Sequence, residues 1–316
     1  MRAKNSLKIA VNNYSLVFKN LLYKLIIFTV FAVLIRIVLS VALTPFIDKL
    51  RPVVKNVVSL ITAILNGDNV ESVNLAFKTS LEEFSLFFTS NAGNIVIATV
   101  IICFIIIVYK FLTGISDCTL MILVSGHMTG LSHRGYVGVM VENLKKILVY
   151  QLIDAFSTII YSAVVGLLVW GVFRLSVITV PVMALFGTAL VIILAIGLYQ
   201  TIFSQVMANI LIGEDRGIKK AIIDGIKPKK EFFGRMFAGY FTTTVILAYL
   251  HVTMTLFTFG VGELILIPFA SLMIATMKTV DFFTIHKKKY FVDYDTIIIP
   301  KELRENDESL LSDVEI

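Results

Sequence analysis

Residues Leu131–Phe156 read LSHRGYVGVMVENLKKILVYQLIDAF. The first half is polar and basic, with His133, Arg134, Lys145 and Lys146. The second half opens an apolar run, Ile147–Phe173. At ~1.5 Å of helical rise per residue, a run of that length crosses a ~30 Å hydrocarbon core. The stretch is read as a basic connector that feeds a membrane helix.

The same pattern recurs along the chain. Of the 316 residues, 57% are hydrophobic and only 16% are charged. The mean hydropathy is +0.88. A soluble domain is about half apolar and about a quarter charged. The excess falls into six runs: Leu22–Thr44, Asn94–Thr113, Ile147–Phe173, Val177–Ser204, Phe237–Phe259 and Leu264–Thr284. Lipid offers no partner to backbone N–H and C=O groups, so each run is expected as a helix. Alternating β-barrel patterning is absent. The expected fold is all-α and polytopic, with six transmembrane helices. Its parts are a lead-in amphipathic helix over 1–21, a membrane domain over 22–285 and a polar tail over 286–316. Met1–Tyr23 is polar and basic, so no cleavable signal peptide is expected and the first span targets the chain. Cys103 and Cys118 form no CxxC pair and no extracellular staple.

Basic residues set the expected orientation. One side carries 22 of the 28 Lys and Arg, in the N-terminus, the second and fourth connectors and the tail. The other side holds Lys49, Arg51, Lys55, Lys78 and Arg174, and Arg36 lies within a span. The first side is read as cytoplasmic, with both termini inside, in a bacterial inner membrane. The expected partners are anionic headgroups at that face and a membrane or cytoplasmic protein. No nucleic acid, cofactor or metal is expected.

The outer turns after the third and fifth spans are short, Arg174–Ser176 and Gly260–Glu263. Each hairpin follows a basic amphipathic segment: LKIAVNNYSLVFKN, YVGVMVENLKK and GIKKAIIDGIKPKKEFFGRM. LLYKLI (Leu21–Ile26) also matches LVYQLI (Leu148–Ile153). Three diverged copies of an interfacial helix plus a hairpin are inferred. The plainer alternative is that any polytopic chain has basic lead-ins to its inward-starting helices. The first hairpin has a long outer connector, residues 45–93. Two amphipathic helices are expected there, one with Leu50, Val54, Val57, Ile61 and Ile64 on its apolar stripe, the other with Phe77, Leu81, Phe84 and Phe88. Asn66–Asp68 is the turn between them.

His133-Arg134-Gly135 followed by Glu142-Asn143 resembles, with its spacing, the signature of glycerophosphodiester phosphodiesterases. Val141 and Leu144 depart from the Pro and Thr of that family. The resemblance implies that His133, Arg134 and Glu142 open a (β/α)8 barrel with further metal-binding acids. Here a membrane run begins four residues after Asn143. No soluble barrel of ~250 residues fits in this chain. His133 and Arg134 are therefore read as cytosolic residues facing headgroups, and no catalytic residue is assigned. The six-run pattern over roughly residues 1–290 resembles the membrane domain that precedes the barrel in some bacterial members of that family, and related six-pass bacterial proteins. This implies an accessory or regulatory membrane module. AIIDGIKPKKEFFGRMF (Ala221–Phe237) resembles the coupling loop of ABC importer permeases, without its Glu-Ala-Ala start or Leu-Pro close. Under that reading Ala221, Asp224, Gly225, Lys229 and Lys230 form a cytoplasmic docking segment. Under the other reading they form a lipid-surface helix broken by Gly225 and Pro228.

A charge at the centre of a membrane span costs about 2.5–3.5 kcal/mol on insertion scales. Arg36, Asp154, His251 and Asp281 therefore need water, partners or neutralisation. Asp154 lies ~12 Å into the third span, with Gln151 three residues earlier on the same face. Arg36 is placed to snorkel outward, and Asp281 to pair with nearby Lys. These groups either build a polar pathway or fasten helices together at ~1 kcal/mol each. The fastening role is preferred. In the tail, Thr296–Ile299 is expected as a short strand stopped by Pro300, and Lys301–Ile316 as a mobile acidic end. The chain lacks GxSxG, HExxH, Walker A and GxGxxG motifs. The expected function is a non-catalytic accessory, assembly or envelope-maintenance module. The alternative is a small-solute or lipid transporter, or a permease subunit, using Asp154 and Arg36.

Overall fold

The computed structural model describes residues 2–66, 70–130, 135–179, 183–213, 217–227, 230–293 and 296–300. Among these residues the chain forms ten helices and one β-hairpin. The helices are α1 (Arg2–Asn12), α2 (Ser15–Asn66), α3 (Val70–Ser90), α4 (Ala92–Thr129), α5 (Tyr136–Glu142), α6 (Leu144–Thr179), α7 (Met183–Leu211), α8 (Ile218–Ile226), α9 (Lys230–Thr258) and α10 (Glu263–Ile285). The hairpin pairs β1 (Tyr290–Asp293) with β2 (Thr296–Ile298), antiparallel. Six helices are long and apolar enough to cross a membrane, over Ser15–Val38, Thr99–Thr129, Leu144–Leu175, Gly187–Leu211, Phe232–Thr258 and Glu263–Ile285. The protein is an all-α multi-pass membrane protein.

The chain divides into two compact units, Ile26–Lys110 and Met1–Leu25 with Phe111–Ile316. In the first, α2 does not stop at Pro45 where the expected span gave way to a connector. Pro45 and Pro52 both lie inside it. The fixed φ of proline is compatible with a helix, and each proline removes one amide donor while the neighbouring turns keep theirs. Asn56 of α2 donates to the Ala76 carbonyl (3.1 Å) and the Ser80 hydroxyl (2.8 Å) of α3. Val53 and Ala63 are buried, whereas Val54 is exposed, so the packed stripe is rotated from the expected one. The turn expected at Asn66–Asp68 falls between α2 and α3, and its Gly67 and Asp68 lie outside the described residues.

The second unit has its core at one end of the spans. That end carries α1, α5, α8 and the β-hairpin, with the lysine-rich segments, and is called here the basic end. The buried side chains include Ile9, Val17, Cys118, Leu120, Met121, Val124, Ile147, Val206, Met207, Ala208, Leu272, Met273, Met277, Val280, Phe282 and Phe283. The α10 span is the axis of this core: 56% of its most apolar window is buried, against none for α6. The other halves of this unit's spans expose Val164, Leu167, Val252 and Leu256. A surface this apolar is satisfied by lipid.

Two expected boundaries shift. The second span was expected to end at Thr113, but α4 continues to Thr129, and Ile115–Met128 is among the most buried stretches of the chain. The segment ISDCTLMILVSGHM mixes small polar with apolar residues, which lowers its average hydropathy while its polar groups bond to other helices. The outer turn expected at Arg174–Ser176 is instead part of α6, where the Arg174 guanidinium lies 5.6 Å from the Trp170 ring centre. The turn expected at Gly260–Glu263 is observed, with Gly260 at φ +84° and α10 starting at Glu263.

Each hairpin of spans has its short lead-in helix, α1, α5 and α8. In the first two the joint is built alike. Asn13 donates to the Ile9 carbonyl (2.8 Å) and Asn143 to the Val139 carbonyl (3.0 Å), each closing the last turn four residues back. Each lead-in helix buries one side and exposes another apolar stripe, namely Leu7 and Val11, Val137 and Val141, and Ile218, Ile223 and Ile226. Such two-sided amphipathicity suits a helix held between a bundle and the headgroup boundary. α1 also clasps the hairpin. Lys8 pairs with Asp293 at 2.6 Å, and Asn5 donates to the Tyr290 hydroxyl at 3.3 Å. The first helix and the hairpin therefore lie at the same end of the bundle.

α8 docks on α7 through a glycine. A Cβ on Gly225 would meet the Val206 backbone at 2.6 Å, and backbone atoms cannot give way as side chains can. Gly225→Ala is expected to push α8 off α7 at a cost of about 1–3 kcal/mol, the range of overpacking changes. Thermal unfolding of the detergent-purified protein checks this; an unchanged midpoint would contradict the packing.

Candidate functional site

Three groups of polar side chains fasten the spans of the second unit. The first surrounds Asp154. On α6, Tyr150, Gln151 and Asp154 follow at helical spacing. The Tyr199 hydroxyl of α7 donates to Asp154 Oδ1 at 2.7 Å, and Tyr150 donates to the same oxygen at 3.3 Å. The Tyr199 proton is thereby used, so Thr158, 2.8 Å away, donates to Tyr199. The Tyr199 ring packs between Tyr161 and Phe203, with centroids at 5.1 and 4.6 Å. Asp154 thus joins α6 to α7. Gln151 turns to α4 instead. Its amide donates to Cys118 Sγ at 3.1 Å, and its side chain occupies the space over Gly114 that a Cβ would fill.

The second group lies at the basic end and joins α2, α4, α5 and α10. Asn20 donates to the Pro268 carbonyl at 3.3 Å and accepts from the Ser116 hydroxyl. With its proton spent on Asn20, Ser116 accepts from Tyr136, 2.5 Å away. Burial pushes the Tyr136 hydroxyl well above its ordinary range, so it stays protonated as a donor. One turn along α2, Lys24 pairs with Asp117 of α4 at 2.8 Å and donates to Ser271 of α10 at 2.5 Å. Lys24 and Gln151 occupy matching positions in LLYKLI and LVYQLI. They reach consecutive residues of α4 from two different helices.

The third group spans the turn between α9 and α10. His251 Nδ1 lies 2.5 Å from Glu263 Oε2, and Thr255 donates to Glu263 Oε1 at 3.0 Å. The Thr258 hydroxyl accepts from the Gly262 amide at 2.7 Å.

The remaining sequence candidates are placed as follows. Arg36 sits on an exposed face of α2 in the other compact unit. Asp281 is buried, four residues before the end of α10. The Ala221 carbonyl accepts from Asn209 at 3.2 Å, and Asp224 lines a small cavity of about 40 Å³ with His286 and Lys288. Gly225 is spent on Val206, so the close-approach face of α8 is filled from within the chain. Lys230 opens α9, and Lys229 lies outside the described residues, as do His133 and Arg134. Glu142 and Asn143 form the joint between α5 and α6. Among the described residues, no three His, Cys, Asp or Glu gather as a metal site.

Neither Asp117 nor Glu263 was among the site residues expected from the sequence. Lys24 gave a usable signal, since a cation within the first apolar run requires a carboxylate from another helix. Lys24 is only 12% exposed and Asp117 is 39% exposed. Asp117→Ala is expected to cost about 1–3 kcal/mol, less than for a fully enclosed pair because water reaches Asp117. Lys24→Met together with Asp117→Ala should recover part of that loss, because no cation is then left alone. Unfolding midpoints of the two single variants and the double variant check this, and strictly additive losses would contradict the pairing.

Compared with protein-family models, curated proteins and solved structures, the chain matches none, and its role has to be read from its own chemistry.

Proposed function

We propose that this chain is a non-catalytic module of a bacterial inner membrane, with its basic end in the cytosol, and that it acts as an accessory or assembly partner for another envelope component. The observation that carries this reading is the use of the polar side chains within its spans. Asp154, Gln151 and His251 each engage a neighbouring helix, respectively α7, α4 and α10. Such bonds fix helix positions and contribute ~1 kcal/mol each. The lysine-rich lead-in helices suit an anionic leaflet, where each Lys or Arg near the surface adds about 1 kcal/mol.

Transport through Asp154 is the competing reading, favoured by the half-buried carboxylate itself. The permease version of it is weakened by α8, whose glycine face already packs on α7. Asp154→Asn separates the two readings. The amide oxygen of Asn still accepts from Tyr199, so a fastening role predicts normal expression, an unfolding midpoint close to wild type and retention of a partner co-purified from native membranes. A transport role predicts flux in proteoliposomes that Asp154→Asn abolishes at unchanged stability, and that result would overturn the proposal.

A further inference from the structure

A cavity of about 460 Å³ opens at the basic end, between α4, α5, α7 and α10. Its size falls within the ~300–1,000 Å³ usual for small-ligand sites. The walls are apolar and largely buried: Leu123, Val139, Leu211 and Phe282. Ser125, His127, Thr129, Asn143 and Lys288 supply the polar groups. None of them belongs to the three fastening groups described above.

The end of α10 aims Lys288 into this space. The Lys288 amide donates to the Phe283 carbonyl at 2.9 Å and the Lys287 amide to the Thr284 carbonyl at 3.3 Å. This is the paired-bond C-terminal motif that ordinarily places glycine in the left-handed position. Here that position is Lys287, at φ +53°. The sharp reversal lays the Lys288 ammonium 5.5 Å from the centre of the Phe282 ring, a wall of the cavity. Asp224 lines the smaller cavity, which Lys288 also borders. Lys287 and Lys289 flank the site in sequence and are exposed.

The level of the cavity in the bundle identifies its occupant. Its lining comes from the last turns of the spans Thr99–Thr129, Gly187–Leu211 and Glu263–Ile285. Where three spans end together, headgroup phosphates meet acyl chains. We infer that the cavity holds one anionic phospholipid, with its phosphate at Lys288, Ser125 and Asn143 and its glycerol and upper acyl carbons against Leu123, Val139, Leu211 and Phe282. The apolar walls favour a lipid over a free phosphate, which would leave them wet. The inference rests on the membrane placement proposed above.

The test uses the full-length protein in detergent and native mass spectrometry, with phosphatidylglycerol, phosphatidylcholine and inorganic phosphate as probes. One phosphatidylglycerol is expected to stay bound in preference to phosphatidylcholine, and to raise the unfolding midpoint. Lys288→Gln, at a partly exposed position that leaves the fold intact, should weaken retention about five- to tenfold. Val139→Trp should block it by filling the cavity, while Lys289→Gln should leave it unchanged. Equal retention of both lipids, equal losses in Lys288→Gln and Lys289→Gln, or displacement by inorganic phosphate alone would overturn the inference. Recovery of the chain in soluble form without detergent would instead refute the membrane placement; a detergent-dependent chain that retains no phosphatidylglycerol refutes the cavity site alone.

Discussion

The structure depends on how the basic half of α4 is held between two other helices. Lipid offers no hydrogen-bond partner, so every polar side chain in a span must find one in the protein. Lys24 reaches Asp117 from α2, and Gln151 reaches Cys118 from α6. Gly114 lets Gln151 come that close. Asn20, Ser116 and Tyr136 extend the same joint to α5 and α10. These bonds concentrate the packing of the second unit at one end of its spans. The opposite halves carry few such groups and present apolar side chains to lipid.

This arrangement bears on function through what it leaves over. A transport pathway needs polar groups that can exchange partners with a passing solute. Asp154 is held by two phenols, and His251 is held by a carboxylate across a turn. Under the proposed membrane placement, the cation-rich end suits holding a partner or a lipid better than passing a solute. The unit formed by Ile26–Lys110 adds a second body with its own helix pairing, through Asn56.

Much of the fold was legible because apolar run length is a direct consequence of bilayer thickness. The six spans, the short lead-in helices, the turn at Gly260–Glu263 and the strand at Thr296 all follow from local pattern. The boundaries of α4 and α6 did not. Averaged hydropathy cannot distinguish a polar residue that faces water from one bonded to another helix, and Ser116 and Asp117 are of the second kind. The rotation of the α2 stripe onto Val53 and Ala63 has the same origin, because which face is buried depends on α3. Among the site residues, Asp154, Gln151 and His251 were visible as polar groups in apolar surroundings. Their partners Tyr199, Cys118 and Glu263 were not, since ordinary residues become partners only when two helices are brought together.

Hydrogen exchange on the protein reconstituted in nanodiscs tests the central claim most directly. If α4 is clamped as described, the amides of Ile115–Met128 exchange as slowly as those of Leu272–Phe283 in α10. Exchange of Ile115–Met128 at the rate of an exposed connector, with α10 still protected, would contradict the account.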